Sequence, residues 1–176
     1  MKDGHTAIIN ALKFALQMEV DGRKFYATAA RESNDRVGRD LYTWLADQEG
    51  LHYKRFEQIY AALTADKGWP AESVNPARPV KLGTLFSGLI KEAAKPAVKG
   101  AAEVDSADRA IEMEIKSRDY YRQRADEASS DIEKKFFKSV SAEEQGHYLA
   151  LIDYREYITD PDGWFTRTEH HLLEGG

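Results

Sequence analysis

The chain has 176 residues, enough for one domain with its own core. Its net charge of −5 and pI near 5.6 argue against a nucleic-acid surface, which would need a clustered basic face, and no basic run interleaved with aromatics occurs. It has no cysteine, which removes disulfides, thiolate catalysis, cysteine-ligated zinc and iron–sulfur clusters together.

The opening "MKDGHTAIIN" lacks the apolar centre of a signal peptide. The longest apolar run, "LGTLFSGLI" at 82–90, sits between Lys81 and Lys91 and is too short to cross a bilayer. A cytoplasmic address is therefore expected, with neither membrane nor nucleic acid as a partner.

Helical periodicity begins near Thr6, a plausible N-cap, and continues to Arg31. Ile8, Leu12, Ala15, Leu16 and Tyr26 form its apolar stripe. "SNDR" at 33–36 is a turn. A second helix is predicted from about Gly38 to Asp66, with Leu41, Leu45, Phe56, Ile59 and Leu63 inward. Three prolines and a glycine in "KGWPAESVNPARPV" stop it. A short apolar helix around Thr84 to Ala94 is expected before Pro96. "DSAD" at 105–108 reads as the cap of a third helix that runs to about Ala128. After "SSD", a fourth helix covers about Asp131 to Ile158, with Pro161 and Gly163 as its stop. Nothing reads as strand. The expected fold is all-α: a four-helix bundle over residues 1–160, made of two hairpins joined by a crossover at about 67–104. A C-terminal tail follows over residues 161–176.

The two hairpins look like copies of one unit. At an offset of 95 residues, Met18-Glu19 falls on Met113-Glu114, Arg23 on Arg118 and Tyr26 on Tyr121. Glu49, His52 and Tyr53 then fall on Glu144, His147 and Tyr148, with no gap. Within each copy the first Glu stands 30 residues before the Glu of a Glu-x-x-His pair. The midpoints, Asn34 and Ser129, lie in the turns, so the paired glutamates sit level across each hairpin. The histidine at i+3 shares that face. Two such hairpins facing each other gather Glu19, Glu49, His52, Glu114, Glu144 and His147 at one centre. Glu19 and Glu144 lie on apolar stripes, and four buried carboxylates without partners would cost many kcal/mol. Protonation relieves part of that cost. Two divalent cations would balance four carboxylates completely.

This constellation resembles that of the ferritin-like di-iron carboxylate proteins, and of rubrerythrins among them, over about residues 6–158. The likeness is greatest to rubrerythrin-related proteins that lack a rubredoxin module. The resemblance implies that Glu19, Glu49, His52, Glu114, Glu144 and His147 ligate two iron ions, with manganese or zinc as substitutes. Glu49 and Glu144 would bridge the ions. Tyr26 and Tyr121 become candidate hydrogen-bond donors to the terminal carboxylates; ordinary core tyrosines are the alternative. The chain departs from the pattern twice. Rubrerythrins usually end in a four-cysteine rubredoxin domain, absent here, so the resemblance implies a separate electron donor such as a rubredoxin-like protein. They also usually carry a further Glu three residues after the third-helix ligand, where this chain has Ser117. The remaining ligands are closer to a bacterioferritin-like ferroxidase centre. The function so implied is reduction of peroxide or dioxygen at a di-iron site in a homodimer. The alternative is a ferroxidase or iron-binding protein with no organic substrate.

Overall fold

The computed structural model describes residues 2–70 and 100–174. It is all-α, and no strand occurs among those residues. Helices α1 (Lys2–Glu32) and α2 (Arg36–Thr64) form one hairpin, and α3 (Ala101–Asp126) and α4 (Asp131–Thr159) form the other. A further helix, α5 (Pro161–Glu174), follows α4. The short helix expected around 84–94 lies outside the described residues. No described helix is long and apolar enough to cross a membrane.

Local chemistry sets the helix ends. Asp35 caps α2 by accepting from the Gly38 amide at 3.0 Å. Ser130 caps α4 through the Glu133 amide, and the Glu133 carboxylate reaches back to the amide and hydroxyl of Ser129. The α2 C-terminus closes with Asp66 in the left-handed region (φ 54°). There the Lys67 amide donates to Ala62 and the Asp66 amide to Leu63, which satisfies two terminal carbonyls.

Three boundaries differ from the sequence expectation. Helix α1 starts at Lys2, and Thr6 is inside it. Equal distances from the 33–35 turn bring that extension alongside the end of α2. Helix α3 starts at Ala101, so "DSAD" is interior and Gly100 is the cap. Glu103 explains the extra turn: its Oε1 accepts from Ser33 at 2.7 Å and from Tyr154 at 2.8 Å, tying the start of α3 to both hairpins. Pro161 begins a helix rather than a tail. Asp160 accepts from the Gly163 amide at 3.0 Å, and proline suits the first helical position because its missing N–H costs nothing there. Trp164 on this helix is buried against Tyr157.

The hairpins run opposite to one another, so each turn meets the open end of the other pair. One apolar core, with Tyr26, Leu41, Tyr42, Leu45, Leu151 and Tyr154, fills the α1–α2 turn end. A second, with Leu12, Phe56, Ile59, Tyr121, Phe136 and Phe137, fills the α3–α4 turn end. Between them lies a polar layer.

Candidate metal centre

The polar layer consists of the six residues related by the sequence repeat. Glu19, Glu49, His52, Glu114, Glu144 and His147 come from four different helices, and each is at most 6% exposed. His52 Nδ1 lies 3.2 Å from Glu144 Oε1 and 3.5 Å from Glu19 Oε2. His147 Nδ1 lies 3.1 Å from Glu144 Oε2 and 3.6 Å from Glu114 Oε2. The two imidazoles face each other with ring centroids 5.5 Å apart. Two donor sets result, Glu19/Glu49/His52 and Glu49/Glu114/Glu144/His147, each with its donor atoms within 4.8 Å of one another. Glu49 belongs to both.

Each side chain is aimed by a second contact. The Tyr26 hydroxyl donates to Glu114 Oε1, and the Tyr121 hydroxyl donates to Glu19 Oε1. These bonds cross between the hairpins, so each tyrosine orients the carboxylate of the other copy. His52 turns Nε2 outward to Glu143 Oε2 at 2.9 Å, which leaves Nδ1 facing the carboxylates. Gly22 gives Glu49 its room: a Cβ there would come within 2.9 Å of Glu49 Oε2.

Several of the inner atoms face one another and make no hydrogen bond. Glu19 Oε2, Glu114 Oε2, Glu144 Oε1 and His52 Nδ1 are buried with no hydrogen-bond partner. Buried polar atoms without partners cost free energy, so a cluster of them needs a ligand or protons. Protons meet part of the need without a cation. Burial and the neighbouring Glu19 and Glu144 carboxylates push Glu49 well above the usual carboxylate range. Glu114 is raised to about 8 by burial and by Glu144, against the pull of His147. Burial opposes charge on both imidazoles, but the carboxylates outweigh it and lift His147 to about 9 and His52 well above its ordinary value. Glu144 goes the other way: burial raises it, but the two histidines outweigh that and hold it below the usual carboxylate range. Oxygen-rich ligation with one imidazole per position suits hard or borderline divalent cations. The donor set therefore fits a metal site.

Several residues that shape this site carry no signal of their own in the sequence. Glu143, Arg55 and Ser139 form a chain behind His52, with Arg55 Nη1 at 2.8 Å and Ser139 Oγ at 3.1 Å from the Glu143 carboxylate. None of the three is repeated 95 residues away, so the internal repeat passes over them. Trp44 sets its ring edge against His147, with centroids 5.3 Å apart. Arg23 is exposed on α1, and Arg118 bonds Gln145 and Asp119 on the outer surface.

Comparison with curated proteins and with solved structures gave no match. A family model described as rubrerythrin matches residues 10–155, a span that contains all six clustered residues and both hairpins. On that match, and on a helical bundle built around the buried Glu/His layer, the chain belongs to the rubrerythrin family.

Proposed function

We propose that the cluster holds two iron ions and reduces hydrogen peroxide to water, with electrons supplied by a separate donor protein. The observation that carries this reading is the convergence of four buried carboxylates and two buried imidazoles, with inner oxygens of Glu19, Glu114 and Glu144 that make no hydrogen bond. Glu19, Glu49 and His52 would hold one ion, and Glu49, Glu114, Glu144 and His147 the other. When bound, an iron pair supplies the two electrons that cleavage of an O–O bond consumes.

The chain's own part is to hold, shield and release. Tyr26 and Tyr121 occupy the outer oxygens of Glu114 and Glu19, which commits the inner oxygens to a cation. Glu49 and Glu114 hold protons in the metal-free cluster and give them up when a cation enters. The two flanking cores keep bulk water away. A cleft of about 330 Å³ lined by Glu19, Val20, Arg23, Lys24, Ala27 and Tyr53 adjoins the cluster. Glu19 is only 1% exposed there, which favours an oxidant of peroxide size over a large organic substrate. The 176 residues contain no cysteine, so no iron–cysteine centre within them returns the electrons. In this reading the reductant is a separate protein of the rubredoxin-like class.

Anaerobic loading with Fe(II), then stopped-flow mixing with peroxide or dioxygen separately, tests the reading. Oxidation much faster with peroxide is expected. Faster oxidation by dioxygen would contradict it and favour a ferroxidase.

A further inference from the structure

The six cluster residues obey the 95-residue repeat, but the side chains behind the two histidines do not. His52 commits Nε2 to Glu143 at 2.9 Å, and Glu143 is held in turn by Arg55 at 2.8 Å and Ser139 at 3.1 Å. The repeat takes Glu143 to Gln48, Arg55 to Ala150 and Ser139 to Trp44. At the repeat-equivalent positions the chain thus has a neutral amide, a methyl group and an indole, and of these the indole is in contact with His147. The indole meets the His147 ring edge-on, at 87° between the ring planes. Among the described residues, both ion pairs of His147 run from Nδ1 inward, to Glu144 and Glu114. No carboxylate of those residues pairs with its Nε2.

A carboxylate that accepts from the outer nitrogen of an imidazole fixes the tautomer and makes the inner nitrogen a stronger donor. An apolar neighbour does neither. Net charge does not decide between the halves, because Arg55 cancels the charge of Glu143. Among the cluster carboxylates, Glu49 belongs to both donor sets and Glu19 and Glu114 are matched by the repeat; Glu144 turns Oε1 to His52 and Oε2 to His147, although it groups with the His147 set. Against that one extra carboxylate stands the difference in quality of the two imidazole donors.

We infer that the two metal positions are unequal: the His52 position fills first and more tightly, and Glu143 is the positioning residue responsible. The inference rests on the two-metal reading of the cluster. It makes Glu143, Arg55 and Ser139 part of a device that orders loading, which matters for a centre that must exchange electrons as a pair.

The test is anaerobic titration of the metal-free full chain with ⁵⁷Fe(II), followed by Mössbauer spectroscopy. The wild type is expected to show one quadrupole doublet up to one equivalent and a second doublet only beyond it. His147→Ala keeps the tight step and His52→Ala loses it. Glu143→Gln weakens the tight step by about 10–100-fold, the usual cost of removing such an outer partner, and both doublets then appear together at one equivalent. Gln48→Glu supplies the missing carboxylate and strengthens the second step, a gain that a purely structural role for Glu143 does not give. Far-UV circular dichroism checks that each variant is folded. Two doublets growing in parallel in the wild type, or an undiminished tight step in folded Glu143→Gln, would overturn the inference while leaving two metals in place. Failure of the wild type to bind iron would overturn the two-metal reading itself.

Discussion

Glu49 fits where it does because residue 22 is a glycine. Its carboxylate fills the space that a side chain on α1 would take, with Oε2 2.9 Å from the position of a Cβ. The repeat places Ser117 at the equivalent point of α3, so only one of the two helices has this opening. Gly22→Ala is therefore expected to leave the bundle folded but to displace Glu49 and weaken iron binding at least tenfold. Ser117→Ala, the matched control, should load like the wild type. Anaerobic Fe(II) titration of both variants decides the matter; a Gly22→Ala protein with unaltered affinity would show that the opening has no role. The titration of the cluster gives a second expectation. Glu114, ordinarily 4.5, is raised to about 8, and His147, ordinarily 6.5, to about 9. Both groups bind protons more tightly in the folded chain than in the unfolded one. Their stabilisation is complete below the ordinary values and is lost as pH rises through the folded ones. Glu144 is shifted down and acts only at acid pH. Metal-free protein should therefore lose thermal stability between about pH 4.5 and 9, whereas metal, by displacing those protons, should flatten the profile. Calorimetric melting temperatures across that range check the sign.

At the scale of elements, the hairpins come into close contact where Gly38 on α2 passes Tyr154 on α4. The hydroxyl of Tyr154 rests against Gly38 on α2 and donates to Glu103 on α3, which also accepts from Ser33 in the first turn. A methyl group at Gly38 would collide with that hydroxyl. Gly38→Ala should destabilise the fold by about 1–3 kcal/mol, as overpacking of a closed core does. Chemical denaturation would show it as a lower midpoint at constant slope. The same contact explains what sequence could and could not reveal. Four helices were legible because their apolar stripes and turns are local. The start of α3 was not, because Glu103 is drawn into the helix by Ser33 and Tyr154, partners 70 and 51 residues away. Pro161 was misleading for a different reason: proline ends one helix and suits the first turn of the next, and only the Asp160 cap shows which role applies.

At the scale of the whole molecule, the bundle is two copies of one hairpin about a shared centre. Tyr26 reaches Glu114 and Tyr121 reaches Glu19, so each half completes the site of the other. The convergence of the six clustered residues was legible because the repeat marks them at matched heights. The chain behind His52 was not legible, because Glu143, Arg55 and Ser139 break the symmetry that made the rest visible. The central claim is that these residues form one two-metal centre. Its most direct test is a crystal structure of the protein loaded anaerobically with iron, with anomalous scattering recorded at the iron edge. The account predicts two anomalous peaks inside the bundle, one beside Glu19 and His52 and one beside Glu114 and His147, with Glu49 and Glu144 between them. A cluster without anomalous density, or iron bound only elsewhere on the chain, would contradict it.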